Sequence, residues 1–211
     1  NRNPPSRWYT YAGDRPDNVG YEGERMPDVL YKYPDVVEEV NKWLDRLSIK
    51  YQMKVRRSSV KTDDLYSLLF RYTGSRHSAY VSLADIGYGV SQILPFIVQC
   101  VLGVNNIISI EQPEVHIHPR LQADLGDLLA ETTNPEKQGN MYIIETHSEH
   151  LVLRMQKLIR NGKLKPEDVS IIYVERTPTG SKANRLKLDE KGDFIAPWPR
   201  GFFNERLREL E

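Results

Sequence analysis

The chain has 211 residues, room for one domain with a small appendage, and its 29 basic and 29 acidic residues cancel. Net charge therefore gives no argument for nucleic acid or a membrane surface, and no apolar run reaches the roughly 18 residues of a membrane span. Cys100 is the only cysteine, which excludes an internal disulfide and fits a reducing cytoplasm.

The N-terminus, Asn-Arg-Asn-Pro-Pro-Ser-Arg, has neither a Met nor the apolar core of a signal peptide. It reads as the start of a soluble, cytoplasmic piece of something longer. Residues 1–33, rich in Pro, Gly, Tyr and Arg, read as an irregular arm. From Pro34 onward, Val36, Val37, Val40, Trp43, Leu44 and Leu47 share one face of an amphipathic helix with no assigned chemistry. Ile49, Tyr51, Met53 and Val55 alternate with polar residues, the period of a half-buried strand. Residues 65–72 and 77–83 make two more strands about a turn at Thr73-Gly74-Ser75, so an antiparallel sheet with one exposed face is expected. Arg56, Arg57 and Lys61 read as its solvated edge.

From residue 85 helix and strand alternate. Val90, Ile93, Leu94, Ile97, Val98, Val101 and Leu102 recur at helical spacing, with Pro95 expected near the first turn. Ile107 to Ile110 is a short apolar run ending in Glu111, the pattern of a fully buried parallel strand that delivers a carboxylate. Pro119 opens a helix with Leu121, Leu125, Leu128 and Leu129 inside. Residues 141–145 form a second apolar strand, Ser148 caps a helix closed by Gly162, and residues 169–175 read as a third core strand. This alternation argues a parallel α/β sheet. Thr177-Pro-Thr-Gly180 is a turn before short strands at 184–188 and 193–195, and Pro197 to Phe203 read as an aromatic plug on the core.

An apolar strand ending in an acid is the Walker B arrangement, in which the acid helps hold Mg²⁺ beside a nucleoside triphosphate. Two glycines, Gly87 and Gly89, permit close backbone approach, and Ser91 and Gln92 open a helix whose N–H groups suit a phosphate. A competing reading gathers Glu111, Glu114, His116, His118, His147 and His150 into a hydrolytic metal centre. Against it, His116 and His118 are two apart and followed by a proline, which keeps them off one helical face. A third reading is a regulatory module that keeps an ATPase fold without turnover.

Gly87-Tyr-Gly-Val-Ser91-Gln92, Glu111-Gln-Pro-Glu-Val-His-Ile-His118-Pro and Thr146-His147-Ser148 together resemble, in order and spacing, ABC-class ATPases. The closest flavour is the bacterial OLD-like group, related to the SMC and RecF-type ATPases. The resemblance implies a three-layer P-loop NTPase fold, here its C-terminal half with parallel core strands, an antiparallel β subdomain and a small C-terminal region. The core corresponds to residues 85–175, the antiparallel part, with the irregular arm and the amphipathic helix, to residues 1–84, and the small C-terminal region to residues 176–211. It implies ATP and Mg²⁺ as cofactors, a homodimer, and DNA or an effector protein as a further partner, with no membrane.

By the same resemblance, Glu111 helps hold Mg²⁺, and Gly87, Gly89, Ser91 and Gln92 engage the nucleotide of the opposite subunit. His116 and His118 cross to the partner, and His147 hydrogen-bonds the γ-phosphate. Gln112 stands where many ABC-class ATPases carry a catalytic Glu. An amide orients a water but takes no proton, which leaves Glu114 as a substitute base. There is no Gly-x-x-x-x-Gly-Lys-[Ser/Thr] in the chain. In this class that motif precedes the signature, so the 211 residues alone are expected to be inactive.

Overall fold

The structure, a computed structural model, describes residues 6–11, 13–58, 65–115 and 117–196, with the backbone alone at Tyr88. The stretch expected as an irregular arm carries a short strand, β1 (Tyr9–Thr10), and a helix, α1 (Met26–Lys32). Pro27 occupies the first turn of α1, where a missing N–H has no helical partner to lose, and Met26, Val29 and Leu30 are buried. An apolar pattern this short does not register as periodicity.

Helix α2 (Pro34–Arg46) follows directly, burying Val36, Val40, Trp43 and Leu44 as its spacing dictates. It packs on an antiparallel sheet of β2 (Tyr51–Arg57), β3 (Leu65–Tyr72), β4 (Tyr80–Ser82) and β1, with β3 at the centre. Asn41 ties helix to sheet: its Nδ2 donates to Met53 O at 2.9 Å and its Oδ1 accepts from Met53 N at 2.7 Å. Strand β3 is buried on both faces from Tyr66 to Phe70, so the sheet does not expose one whole face as expected. Exposure falls on the edge strand β2. There Lys54 lies 3.6 Å from the Tyr80 ring centre, Arg56 5.4 Å from that of Trp8 and Arg57 4.6 Å from that of Tyr31. Lys61 lies outside the described residues.

Helix α3 (Tyr88–Leu102) begins seven residues before Pro95, which therefore sits in the helix interior and not near its first turn. The proline ring packs against Gly23, where a Cβ would come within 2.8 Å of it. Strands β5 (Ile107–Glu111) and β6 (Met141–Glu145) pair in parallel, from Ile107 opposite Met141 to Glu111 opposite Glu145. Helix α4 (Pro119–Thr133) connects them, with Leu125, Leu128 and Leu129 buried. Asn140 pins the junction: its Nδ2 donates to Cys100 O at 3.1 Å and Gly103 O at 3.0 Å, and its Oδ1 accepts from Asn106 N at 3.1 Å.

The expectation of a fully buried strand fails for β5. Ile108 is buried, and Tyr142 and Ile144 pack on the core, but Ile107, Met141 and Ile143 are 69%, 60% and 60% exposed. Among the described residues, elements cover one face of this two-stranded sheet and leave the other bare. A strand packed on one side only buries alternate residues.

Helix α5 (Glu149–Arg160) is capped by Ser148, whose Oγ accepts from Leu151 N at 3.1 Å, and is followed by Gly162 at φ +68°. It lies close to α4 at Gly126, where a Cβ would stand 2.6 Å from the Arg154 side chain. Arg154 in turn bridges Asp124, at 2.8 Å, and Asp127. The expected third core strand does not join β5 and β6. Strand β7 (Ile171–Thr177) pairs antiparallel with β8 (Gly180–Leu186) in its own hairpin. The tight turn after Thr177 makes the following run the nearest partner, and β7 alternates half-buried and exposed residues as a one-sided strand does. Leu188 and Phe194 then form an isolated antiparallel bridge. The aromatic phrase from Pro197 to Phe203 lies outside the described residues.

Candidate functional site

Parallel strands end together, so whatever their C-terminal residues carry is delivered to one rim. On β5 and β6 those residues are Glu111 and Glu145, opposite each other and both exposed on the uncovered face. Glu145 escaped the motif reading, although each strand is a five-residue run closing in Glu, a signal that names the pair.

The chain leaves β5 through Gln112 at φ +45°, in the left-handed region that a residue with a Cβ rarely adopts. Its N–H donates to Glu145 O at 2.8 Å, extending the parallel ladder one step past the strand. Pro113 then turns the chain inward, and Glu114 is 8% exposed. Glu114 Oε1 accepts a hydrogen bond from the His147 backbone N–H at 2.6 Å, while its Oε2 is buried with no hydrogen-bond partner. Two of the residues singled out from the sequence are thus in direct contact. His147 itself is exposed.

Gln122, at the end of the first turn of α4, makes a second tie that the motif reading missed. Its Nε2 donates to Ile117 O at 3.1 Å and Glu114 O at 3.3 Å, and its Oε1 accepts from Ser148 Oγ at 2.8 Å. Only its place next to the buried Leu face of α4 hints at this role in the sequence.

His118 caps α4: its Nδ1 accepts from Arg120 N at 3.2 Å, which leaves Nε2 as the protonated nitrogen of the neutral ring. His116 lies outside the described residues. Ile117 and His118 line an apolar cleft of about 170 Å³ with Ile49, Gly87, Gly89, Val90, Ile93 and Leu121. The two glycines of the helix opening and the turn after β5 therefore share one wall. A Cβ at Gly87 would meet nothing within 4 Å, so a ligand can approach this backbone closely. Ser91 and Gln92 are half-buried in the early turns of α3, near its positive end.

The described residues, which do not include His116, form no such metal centre. Among the described residues no three His, Cys, Asp or Glu side chains are grouped to hold an ion, although Glu111, Glu114, His118, His147 and His150 are all described. Deeper in, Cys100 is fully buried behind β6, and burial pushes its thiol up to about 12 despite a hydrogen bond from Tyr142.

A family model described as AAA ATPase domain matches residues 24–152. A second, described as a protein of unknown function (DUF3696), matches residues 164–211. No curated protein matches the chain. Among solved structures, a chain from a study of ATP-driven dimerization and DNA-stimulated activation of SMC ATPases is similar, with a TM-score of 0.54. It is 12% identical, over 76% of this chain and 89% of that one. The SmcHead bound to the C-winged helix domain of ScpA has a TM-score of 0.56 at 11% identity, over 82% of this chain and 48% of that one. The Smc head domain with a coiled coil and joint from Pyrococcus yayanosii has a TM-score of 0.53 at 11% identity, over 81% of this chain and 30% of that one. The chain thus spans less than half the length of the latter two. Identities this low show the fold alone.

Proposed function

The chain belongs to the AAA ATPase domain family, and we propose that it is the C-terminal part of an OLD-like, ABC-class ATPase that slowly hydrolyses ATP as a nucleotide-dependent dimer. Its fold is the α/β fold of the SMC ATPase head, with helices and mixed sheets. We read residues 85–175 as the ATPase core within a three-layer arrangement, with an accessory part before it and a small region after. The observation that carries the reading is the shared rim: Glu111, Gln112 and the His147 loop stand at the ends of two parallel strands.

Glu111 offers exposed carboxylate oxygens, the hard donors that Mg²⁺ takes. When bound, the ion supplies positive charge to the phosphate oxygens of ATP. Gln112 orients the attacking water through its amide without removing a proton, which suits slow turnover. His147 donates to the γ-phosphate. Gly87, Gly89, Ser91 and Gln92 present open backbone and the positive end of α3 to the nucleotide held by the opposite subunit. By the family reading, His116 and His118 belong to the segment that crosses to that subunit.

No described helix is long and apolar enough to cross a membrane. We place the protein in the cytoplasm, working on DNA or through an effector protein; of the similar solved heads, one belongs to a DNA-stimulated SMC ATPase and one is bound to ScpA. Sedimentation of the full-length protein tests the dimer. ATP·Mg should convert monomer to dimer, and Ser91→Arg should block that conversion while sparing ATP binding. A protein that stays monomeric with ATP, or a Ser91→Arg variant that still dimerises, contradicts the reading.

A further inference from the structure

A carboxylate is expensive to bury unless hydrogen bonds replace its water, and Glu114 has one. That bond goes to a backbone N–H and not to another side chain. Its donor is the amide of His147, so the carboxylate fixes the position of the Cα from which the imidazole departs. Gln122 repeats the tie one residue further on, holding the carbonyls of Glu114 and Ile117 and the hydroxyl of Ser148 at once. Residues 114–117 and 146–148 are joined at two points by side chains of different elements.

A general base needs its oxygen where water can reach it. Glu114 Oε1 is engaged and Oε2 is buried. From this geometry we infer that Glu114 is a positioning residue for His147. With Gln122, it couples the cleft wall at Ile117 and His118 to the histidine loop. The inference rests on the ABC-class reading above, since it takes His147 as the group that meets the γ-phosphate.

The test is steady-state ATP hydrolysis by the full-length protein, with hydrogen exchange of the His147 amide followed beside it. Glu114→Gln keeps an acceptor for the amide and should retain kcat to within about threefold, whereas Glu114→Ala should lose about 10²-fold in kcat with KM little changed. Exchange at His147 should be slow in the parent and Glu114→Gln, and fast in Glu114→Ala. A Glu114→Gln variant as inactive as Glu114→Ala overturns the inference, because a base or metal ligand cannot be replaced by an amide. Parent-like kcat in Glu114→Ala overturns it too. Should Glu114→Ala fail to fold, Gln122→Ala serves: a lowered kcat with faster His147 exchange supports the coupling, and a parent-like kcat and exchange overturn it. A parent protein with no ATP turnover overturns the ABC-class reading and this inference with it. An active parent whose His147 amide ignores both substitutions overturns the inference alone.

Discussion

Glu111 and Glu145 face each other across the parallel pair of β5 and β6, on the same uncovered side of the sheet. Two like charges at directly opposed positions repel, by a few tenths of a kcal/mol where both are solvated. Without Mg²⁺, Glu111→Gln and Glu145→Gln should each raise the melting temperature slightly at low salt, and the gain should shrink as salt is added. With Mg²⁺, Glu111→Gln should weaken metal-dependent ATP binding. Melting curves across a salt series, with calorimetry, check both.

Gln112 combines a left-handed backbone with an exposed side chain. A non-glycine residue held there costs roughly 1–2 kcal/mol, so Gln112→Gly should keep stability to within about 1 kcal/mol despite the flexibility it adds to the unfolded chain. On the proposed function its turnover should nevertheless fall, because the amide assigned to orient the water is gone. Gln112→Glu supplies a base and should raise turnover, by ~10²-fold at best. Rates measured beside denaturant titrations separate the two effects.

Glu131 accepts ion pairs from Arg46, at 2.5 Å, and Lys137. Partial burial alone would raise its pKa, but hydrogen bonds and charge from Arg46 and Lys137 carry it below the usual value of 4.5. A depressed carboxylate stabilises the fold above its unfolded pKa, and that contribution disappears as pH falls through the folded one. Glu131→Gln should therefore lower stability in the neutral range, flatten the loss below about pH 4.5 and converge with the parent in acid. Urea midpoints at several pH values check it.

Cys100 is fully buried with its thiol pushed up to about 12, so it should resist thiol reagents in the native protein and label only as the core opens. The sign is that of a raised pKa: the contribution to stability is present below the ordinary value of 9.0 and is lost as pH rises toward the folded one. Labelling rates across a denaturant series, compared with global unfolding, test the burial.

Much of this arrangement is legible in the sequence because its signals are local. The apolar spacing after Pro34, the proline at 119, the serine at 148 and the glycine at 162 each act within a turn or two, and each element stands where they put it. The depth of burial was not legible. An apolar run such as Ile107 to Ile110 records how much surface can be buried, whereas what covers each face depends on elements distant in the chain. The fate of β7 is a matter of competition, settled by the short turn to β8. At the site, the motif letters name Glu114 and His147 but not the bond between them, which joins a side chain to a backbone amide. Gln122 carries no motif at all.

The central claim is that His147 meets the γ-phosphate of ATP in an ABC-class site. Steady-state ATP hydrolysis by the full-length protein and its His147→Ala variant, with ATP affinity measured on the same samples, tests it most directly. The account predicts hydrolysis in the parent, its near-complete loss in His147→Ala, and ATP affinity and melting temperature left largely intact. An unchanged rate in a folded His147→Ala protein, or a parent that binds ATP and never hydrolyses it, would contradict the account.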